Sequence, residues 1–270
     1  MISLMKKLLG IVVLGLLWCG TNFTTVEAKS YNLDRATGDC KLTKNLFPTM
    51  NYNVYENTFI KLKLDFKFES GATYREEGLL KNWYLIETIY RDATMSCLTG
   101  KKETCKKIIE HTKYLAENKA FFKNYGGPDN NDWYEATFIN NHGISHVLFA
   151  YWVASQKISI DEKVKSKISK WAIKAVKRNS TARRPQGLNN HSLNSAKAYI
   201  LAGGIFNNEK ILSNGEKTFK KYLKKEFKKI NDEHVVLPIE AERGSRGLYY
   251  TGRTINIMLF LATLLTDSGR

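Results

Sequence analysis

Residues 161–178 read DEKVKSKISKWAIKAVKR, and the spacing of their apolar residues decides the fold class. These residues recur at steps of three and four with lysines between them: Val164, Ile168, Trp171, Ala172, Ala175 and Val176. Residues with this spacing lie on one face of an α-helix. The sequence therefore predicts a basic helix that buries a single apolar stripe.

The same design recurs along the chain. Residues 216–230 place one apolar stripe against a lysine-rich face: Phe219, Tyr222, Leu223, Phe227 and Ile230. Further helices are predicted at Glu76–Ser96, Lys102–Asn118, Trp133–Ser155, Ser192–Ile205 and Gly247–Thr266. Residues 57–69 alternate only partly and are predicted to be extended or a loop. Successive helices joined by short loops favour antiparallel helical hairpins, so we expect an all-α domain.

The first 28 residues have the layout of a secretory signal peptide. Two lysines precede an apolar run, Leu8–Cys19, and small residues end the segment at Ala28. The alternative is a membrane anchor, but the run is too short to span a bilayer easily. We therefore predict cleavage after Ala28, a single domain over residues 29–270, and a periplasmic or secreted protein.

The charge points to polyanionic partners. The chain has 42 Lys plus Arg against 26 Asp plus Glu, a formal charge of +16. Such an excess attracts nucleic acid, anionic lipid or acidic polysaccharide at long range. Export argues against a genomic nucleic-acid role and against membrane insertion after cleavage. The lysine-rich face over residues 220–229 is interpreted as a solvated helix face rather than a nucleic-acid or membrane patch.

Two polar stretches interrupt the helical pattern. The first, GLNNHS at residues 187–192, sets polar side chains at an expected helix start, where free backbone N–H groups favour an anion. Alternatively, an asparagine there only caps the helix. The second, LPIEAERGSRGLYY at residues 237–250, puts Arg243 and Tyr250 on one face if it is helical. A tyrosine among cations can serve as a base, although these tyrosines could equally be core residues and the arginines surface residues.

Together these stretches resemble a known family. Asn190-His191-Ser192, followed about fifty residues later by Leu-Pro-x-Glu-x-x-Arg-x-x-Arg-x-Leu-x-Tyr, is similar to the signature of the alginate lyases of polysaccharide lyase family 5. Weaker similarity lies upstream, where Lys67-Phe68-Glu69-Ser70 resembles the family's lid loop and Glu103-Thr104-Cys105 falls where the family has Glu-Cys-Thr. The resemblance covers roughly residues 60–266.

The resemblance implies an incomplete (α/α) toroid of antiparallel helical hairpins around a cleft for an acidic polymer. It implies that Asn190, His191 and Arg243 contact a uronate carboxylate while Tyr250 acts first as base and then as acid. Further substrate contacts are expected from Lys67, Arg246 and His142. Neutralising the carboxylate stabilises the charge that develops when the C5 proton leaves, and this β-elimination needs no metal or other cofactor. We expect a monomer that acts on an acidic polysaccharide.

The chain departs from the family pattern in three places. Leu193-Asn194 replaces an aromatic pair and Thr251 replaces a histidine, which bears on the sugar preferred more than on the reaction class. The sequence also stops soon after Leu265, before the family's usual final helices, which implies either a short relative with an open cleft or a truncated reading frame. The alternatives to an alginate or polymannuronate lyase are a lyase for another polyuronate, such as glucuronan, and a non-catalytic binder of anionic glycans.

The cysteines are candidates for a disulfide, and two histidines are candidates for a metal site. The predicted mature chain has three cysteines, Cys40, Cys97 and Cys105, which permit at most one internal disulfide. The resemblance favours Cys40 with Cys105, because Cys40 stands where the family has an N-terminal cysteine; Cys97 with Cys105 is the alternative. His142 and His146 lie four apart on a predicted helix, but two histidines without a third ligand favour a structural or cleft-lining role over a metal.

Overall fold

The computed structural model describes residues 77–122, 131–180, 189–229, 231 and 235–270. The helices of this part of the chain are α1 (Glu77–Leu98), α2 (Lys102–Glu117), α3 (Asn131–Lys157), α4 (Glu162–Arg178), α5 (Asn190–Ile205), α6 (Glu209–Glu226), α7 (Pro238–Ala241) and α8 (Gly247–Asp267). A 3-10 turn spans Gly244–Arg246. Two short antiparallel strands, β1 (Lys228–Lys229) and β2 (Val235–Val236), pair Lys228 with Val236. The signal peptide, residues 57–69, Lys67 and Cys40 lie outside the described residues.

Consecutive helices form hairpins in two layers. Helices α1 and α2, α3 and α4, and α5 and α6 pack as pairs. Helix α3 also packs between α1 and α5, whereas α2 packs on α4. The helices α1, α3 and α5 therefore form one layer, which we call the inner layer. Helices α2 and α4 form a second layer that packs on it. This arrangement is the incomplete (α/α) toroid that the resemblance implies.

The sequence explains which helix takes which position. The predicted stripe of α4 is confirmed: Ile168, Trp171, Ala172, Ala175 and Val176 are buried, and lysines cover the remaining surface. Helix α4 begins where Asp161 accepts hydrogen bonds from the N–H groups of Lys163 and Val164. Helix α5, in contrast, is buried over nearly its whole length, because α3, α4 and α6 all pack against it. Helix α5 is therefore an interior helix, and helices with a single apolar face, such as α4, cover the interior.

The predicted helix at residues 216–230 is displaced in the structure. It begins earlier, at Glu209, because the Asn208 side chain accepts the N–H of Ile211 and caps the helix. It ends at Glu226, and the backbone of Phe227 is extended as the chain enters β1. Phe227 therefore does not belong to the helical stripe that the spacing predicted.

A disulfide closes the first hairpin. Cys97, near the end of α1, is bonded to Cys105 in the first turn of α2. The expected pairing of Cys40 with Cys105 is therefore wrong, and the alternative is correct. The tight turn between Leu98 and Lys102 brings the two Cα atoms to 5.0 Å, a distance that suits a disulfide.

The described residues divide into two compact units. One contains those between Asn51 and Ile257, including every site residue discussed below, and the other contains Met258–Arg270. The single domain over residues 29–270 stays a prediction, because residues 29–76 lie outside the described part. Within the described ranges, no helix has the length and apolar character needed to cross a membrane.

Two glycines let α5 and α6 approach closely. A Cβ atom at Gly203 would lie 2.3 Å from the backbone nitrogen of Leu212. A Cβ atom at Gly215 would lie 2.9 Å from the backbone nitrogen of Ile200. Non-bonded atoms do not come this close, so larger residues at either position would push the helices apart.

We expect Gly203→Ala to lower the free energy of unfolding by about 1–3 kcal/mol, because the added methyl group meets backbone that cannot rotate away. Urea denaturation at pH 7 measures the change. Gly252→Ala is the matched control, since among the described residues no atom beyond its own turn of helix lies within 4 Å of a Cβ there and alanine favours a helix. If Gly203→Ala is as stable as Gly252→Ala, the close approach of α5 and α6 is wrong.

Candidate active site

A buried carboxylate joins the two polar stretches. Glu240 in α7 is 0% exposed. Its Oε1 accepts a hydrogen bond from the backbone N–H of Asn190 at 3.0 Å. Its Oε2 lies 3.0 Å from Nε of Arg243 in an ion pair. One side chain therefore holds the first residue of α5 next to the arginine of the second stretch.

The second stretch is a turn followed by a helix. Pro238 occupies the first turn of α7, where its missing N–H costs nothing. Gly244 has φ +59°, a left-handed conformation that favours glycine. A Cβ atom at Gly247 would lie 2.5 Å from the carbonyl oxygen of Ala241, so the start of α8 requires glycine there. These residues turn the chain back on itself between Arg243 and Tyr250.

Arg243 and Tyr250 meet across this turn. The seven-residue spacing would place both on one helical face only if the segment were one helix, and it is not, because Arg243 precedes the 3-10 turn and Tyr250 lies in α8. They are nevertheless in contact: Cζ of Arg243 lies 4.4 Å from the centroid of the Tyr250 ring. This cation–π contact and the ion pair with Glu240 fix the guanidinium between a carboxylate and a phenol. Arg246 is exposed on the 3-10 turn.

The polar residues at the start of helix α5 make different contacts. Asn189 is the cap, and its side chain accepts the N–H groups of His191 and Ser192 at 3.0 and 3.4 Å. Capping therefore does not occupy the side chains of Asn190 or His191. Oδ1 of Asn190 is buried and has no hydrogen-bond partner among the described residues. The His191 ring stacks on Phe138 of α3, with centroids 4.2 Å apart.

A second polar group adjoins the first through Asn194. The Asn194 amide donates a hydrogen bond to the carbonyl oxygen of Asn190 at 3.1 Å, and its Oδ1 lies 3.4 Å from Nδ1 of His142. Nε2 of His142 lies 3.1 Å from both Oε2 of Glu87 and Nε2 of His146. His142 is 5% exposed, and both ring nitrogens face side chains of this chain. Its direct contact with substrate stays a prediction.

The charges around this second group are mostly positive. Nη2 of Arg253 lies 3.7 Å from Oε2 of Glu87. Burial lowers the pKa of Lys197 to about 8, although the nearby Glu87 acts in the opposite direction. The hydrogen bond from His142 lowers the pKa of Glu87, so its carboxyl group is ionised at neutral pH. Burial lowers the pKa of His142 and of His146, which favours neutral imidazoles.

The structure thus links Asn190, Arg243 and Tyr250 through Glu240, which sequence reasoning missed, whereas His191 follows Asn190 and stacks on Phe138. Glu240 stands in the quoted motif, but nothing in the pattern indicated that its carboxylate is buried. Glu87 gives a weak signal, as a carboxylate within the apolar run of α1. Phe138 gives none, because its stacking on His191 joins two helices far apart in sequence. Lys67 lies outside the described residues.

The pKa of Glu240 makes the stability of the protein depend on pH. Burial raises the pKa of the Glu240 carboxyl group above its ordinary value of 4.5, although Arg243 and the Asn190 N–H act in the opposite direction. The folded state therefore binds its proton more tightly than the unfolded state does. This group contributes stability at pH values below its ordinary pKa and loses that contribution as the pH rises through the raised value.

We expect Glu240→Ala to lower the free energy of unfolding at pH 7 by about 2–4 kcal/mol, because the Asn190 N–H and Arg243 both lose a buried partner. Glu240→Gln keeps an oxygen for Asn190 but cannot ionise. The stability of the wild type relative to Glu240→Gln should be greatest below pH 4.5 and fall as the pH rises. Urea denaturation from pH 4 to 8 measures it, and a difference that does not vary with pH would contradict the buried position of the charge.

Comparison with known proteins identifies a family for most of the described chain. The family model for alginate lyase matches residues 89–270, which include all four candidate catalytic residues. Among proteins of curated function, none has a significantly similar sequence.

Two solved structures share the fold. A variant of alginate lyase A1-III in complex with a tetrasaccharide superposes with a TM-score of 0.59 at 15% identity, covering 75% of this chain and 57% of that chain. Alginate lyase A1-III from Sphingomonas species A1 superposes with a TM-score of 0.59 at 16% identity, covering 72% and 53%. The chain thus spans little more than half the length of these lyases. The superpositions show the (α/α) toroid, and the match over residues 89–270 shows that the chain belongs to the alginate lyase family.

Proposed function

We propose that this protein is a polysaccharide lyase that cleaves a uronate polymer, alginate or polymannuronate, by β-elimination. The observation that carries the proposal is the convergence of Asn190 and Arg243 on Glu240, with Tyr250 in contact with Arg243. These residues are the ones to which the family resemblance assigns the chemistry. The tetrasaccharide bound to a structural relative supports a saccharide as the ligand of this fold.

Arg243, Asn190 and His191 would neutralise the substrate carboxylate. The ion pair with Glu240 engages Nε of Arg243, so its terminal N–H groups remain as donors for a second carboxylate. Asn190 stands at the start of the neighbouring helix, where Asn189 and not Asn190 is the cap, so the N–H groups of its side-chain amide can donate to the carboxylate, and His191 follows it. Donors fixed in advance stabilise the negative charge that spreads into the carboxylate when the C5 proton leaves.

Tyr250 would transfer the proton. Its ring lies against the Arg243 guanidinium, next to the group that would hold the substrate carboxylate. The phenolate removes the C5 proton, and the electron pair left on C5 forms the C4–C5 double bond as the C4–O4 bond breaks. The phenol then gives its proton to the departing O4. One side chain thus acts in turn as base and acid.

We expect Tyr250→Phe to lower kcat at least about 100-fold while the helical circular-dichroism signal is unchanged, because only the hydroxyl group that carries the proton is removed. Tyr249→Phe is the matched control. Its side chain is 58% exposed and its hydroxyl group accepts a hydrogen bond from Arg253 at 3.0 Å, so it should stay within a few-fold of wild type. A Tyr250→Phe protein as active as Tyr249→Phe would exclude Tyr250 as the base.

The substrate is tested with a panel of polymers. The mature protein is mixed with alginate, polymannuronate, polyguluronate and glucuronan, and the ultraviolet absorbance of the unsaturated product is followed. We expect the fastest rise with alginate or polymannuronate. Product from glucuronan alone would identify a lyase for another polyuronate. No product from any polymer would refute lyase activity.

A non-catalytic glycan binder is the second candidate. It is favoured by the formal charge of +16, which would attract an anionic glycan whether or not Tyr250 transfers a proton. Binding of the same polymers without any product, measured by calorimetry on the same preparation, would identify it. Release of unsaturated product would exclude it.

The positive charge fits a polyanionic substrate. The chain carries +16 overall, which raises the local concentration of a polyuronate at low ionic strength. On the lysine-rich face of α6, Lys220 pairs with Glu216 and Lys225 lies 3.3 Å from Glu226. These pairs support a solvated face rather than a separate binding patch. We further propose that residues 1–28 are a signal peptide that directs export. The exported protein acts as a monomer.

A further inference from the structure

We propose that Glu87, His142 and His146 bind a divalent transition-metal ion, for which Zn²⁺ is the best probe, and that this ion ties α1 to α3. The site goes beyond the proposed lyase chemistry, which uses no metal. Sequence reasoning set the two histidines aside because it found no third ligand. Glu87 supplies that ligand from the adjacent helix.

The three side chains converge at ligand distances. His142 and His146 are four residues apart in α3 and so lie on the same side of the helix. One ring nitrogen of each histidine and a carboxylate oxygen of Glu87 all lie within 4.8 Å of one another. A tetrahedral zinc ion with bonds of about 2.0–2.2 Å sets neighbouring ligand atoms roughly 3.3–3.6 Å apart. Small side-chain rotations therefore suffice to bind the ion.

The proton count favours a cation at this point. Nε2 of His142 lies 3.1 Å from a carboxylate oxygen and 3.1 Å from another imidazole nitrogen. One proton on this nitrogen serves both neighbours only by being shared, and if the nitrogen carries no proton its lone pair faces the Glu87 oxygen. A metal ion accepts a lone pair from all three. Two imidazoles and one carboxylate suit zinc and its first-row neighbours.

The surroundings of His142 also suit a metal ligand. Ligating histidines generally donate their second ring N–H to an oxygen, which fixes the tautomer. Nδ1 of His142 faces Oδ1 of Asn194 at 3.4 Å. With the metal on Nε2, the proton resides on Nδ1 and can be donated to this oxygen as the ring tightens around the ion.

Two cations set a limit on the affinity. Arg253 lies 3.7 Å from Glu87, beyond hydrogen-bond distance, and Lys197 interacts electrostatically with the same carboxylate. Their repulsion opposes a divalent ion. We therefore expect weaker binding than in a structural zinc site with four protein ligands.

The test measures zinc binding and not lyase activity. The mature full-length chain is freed of metal with a chelator and titrated with ZnCl₂ by calorimetry at pH 7.5. We expect one equivalent to bind and the Tm to rise with zinc concentration, because the ion binds the folded state. Co²⁺ in place of Zn²⁺ should give visible absorption bands from nitrogen and oxygen ligands.

Variants locate the ion. His146→Ala and the isosteric Glu87→Gln should each lower the zinc affinity at least tenfold, since even residues behind the ligands contribute that much. His191→Ala is the matched control, because it removes a histidine of the same inner layer outside the three ligands, and it should keep the affinity of the wild type. Folding of each variant is checked by circular dichroism.

Three outcomes would overturn the proposal. They are the absence of saturable one-to-one binding to the wild type, unchanged affinity in both Glu87→Gln and His146→Ala, and an equal loss in His191→Ala. The wild-type titration alone decides if the variants do not fold. None of these results bears on the polymer panel, so the metal site and the lyase activity fail separately.

Discussion

The site depends on the burial of one carboxylate, Glu240. Removing an ionised carboxyl group from water is costly unless hydrogen bonds and opposite charge replace the solvent. The Asn190 N–H and the Arg243 guanidinium do so here, and each belongs to a different one of the two polar stretches. The start of α5 and the turn before α8 therefore depend on each other, because separating them would leave the carboxylate with Arg243 alone and the Asn190 N–H without this partner.

The two layers of helices place different demands on their polar residues. The polar side of α4 is lysine-rich and faces solvent, so it places few demands on the residues chosen. In the inner layer a polar side chain must find a partner within the protein. Glu87, His142 and Asn194 form such a chain across α1, α3 and α5, and Asn194 connects it to Asn190. Polar residues of the inner layer are thus candidates for function even where no motif marks them.

How far the sequence predicts the molecule depends on whether each feature is local. The stripe of α4 is local, since its spacing alone specifies the buried face. The end of α6 was misjudged because Phe227 continues the spacing, whereas pairing of β1 with β2 ends the helix.

The site shows the same limit. Arg243 and Tyr250 do meet, but through a turn that depends on Gly244 and Gly247 rather than through a helix. The partnerships of Glu87 with His142 and of Phe138 with His191 each join separate helices, and no spacing rule reveals them. The disulfide departs from the pairing that the family resemblance implies, because only a short loop separates Cys97 from Cys105.

The long-range hydrogen bond between Glu240 and Asn190 also bears on the order of folding. Hairpins such as α1–α2 and α5–α6 join neighbouring segments, and local contacts of this kind form early. The Glu240 contact closes a loop of 50 residues and requires α5 and the α7 turn to be in place first. Most of the helices, and even the Cys97–Cys105 bridge, can therefore form while Asn190 and Glu240 are still apart. Helical content would then report on the scaffold, and only the appearance of function would report that the chain has finished folding.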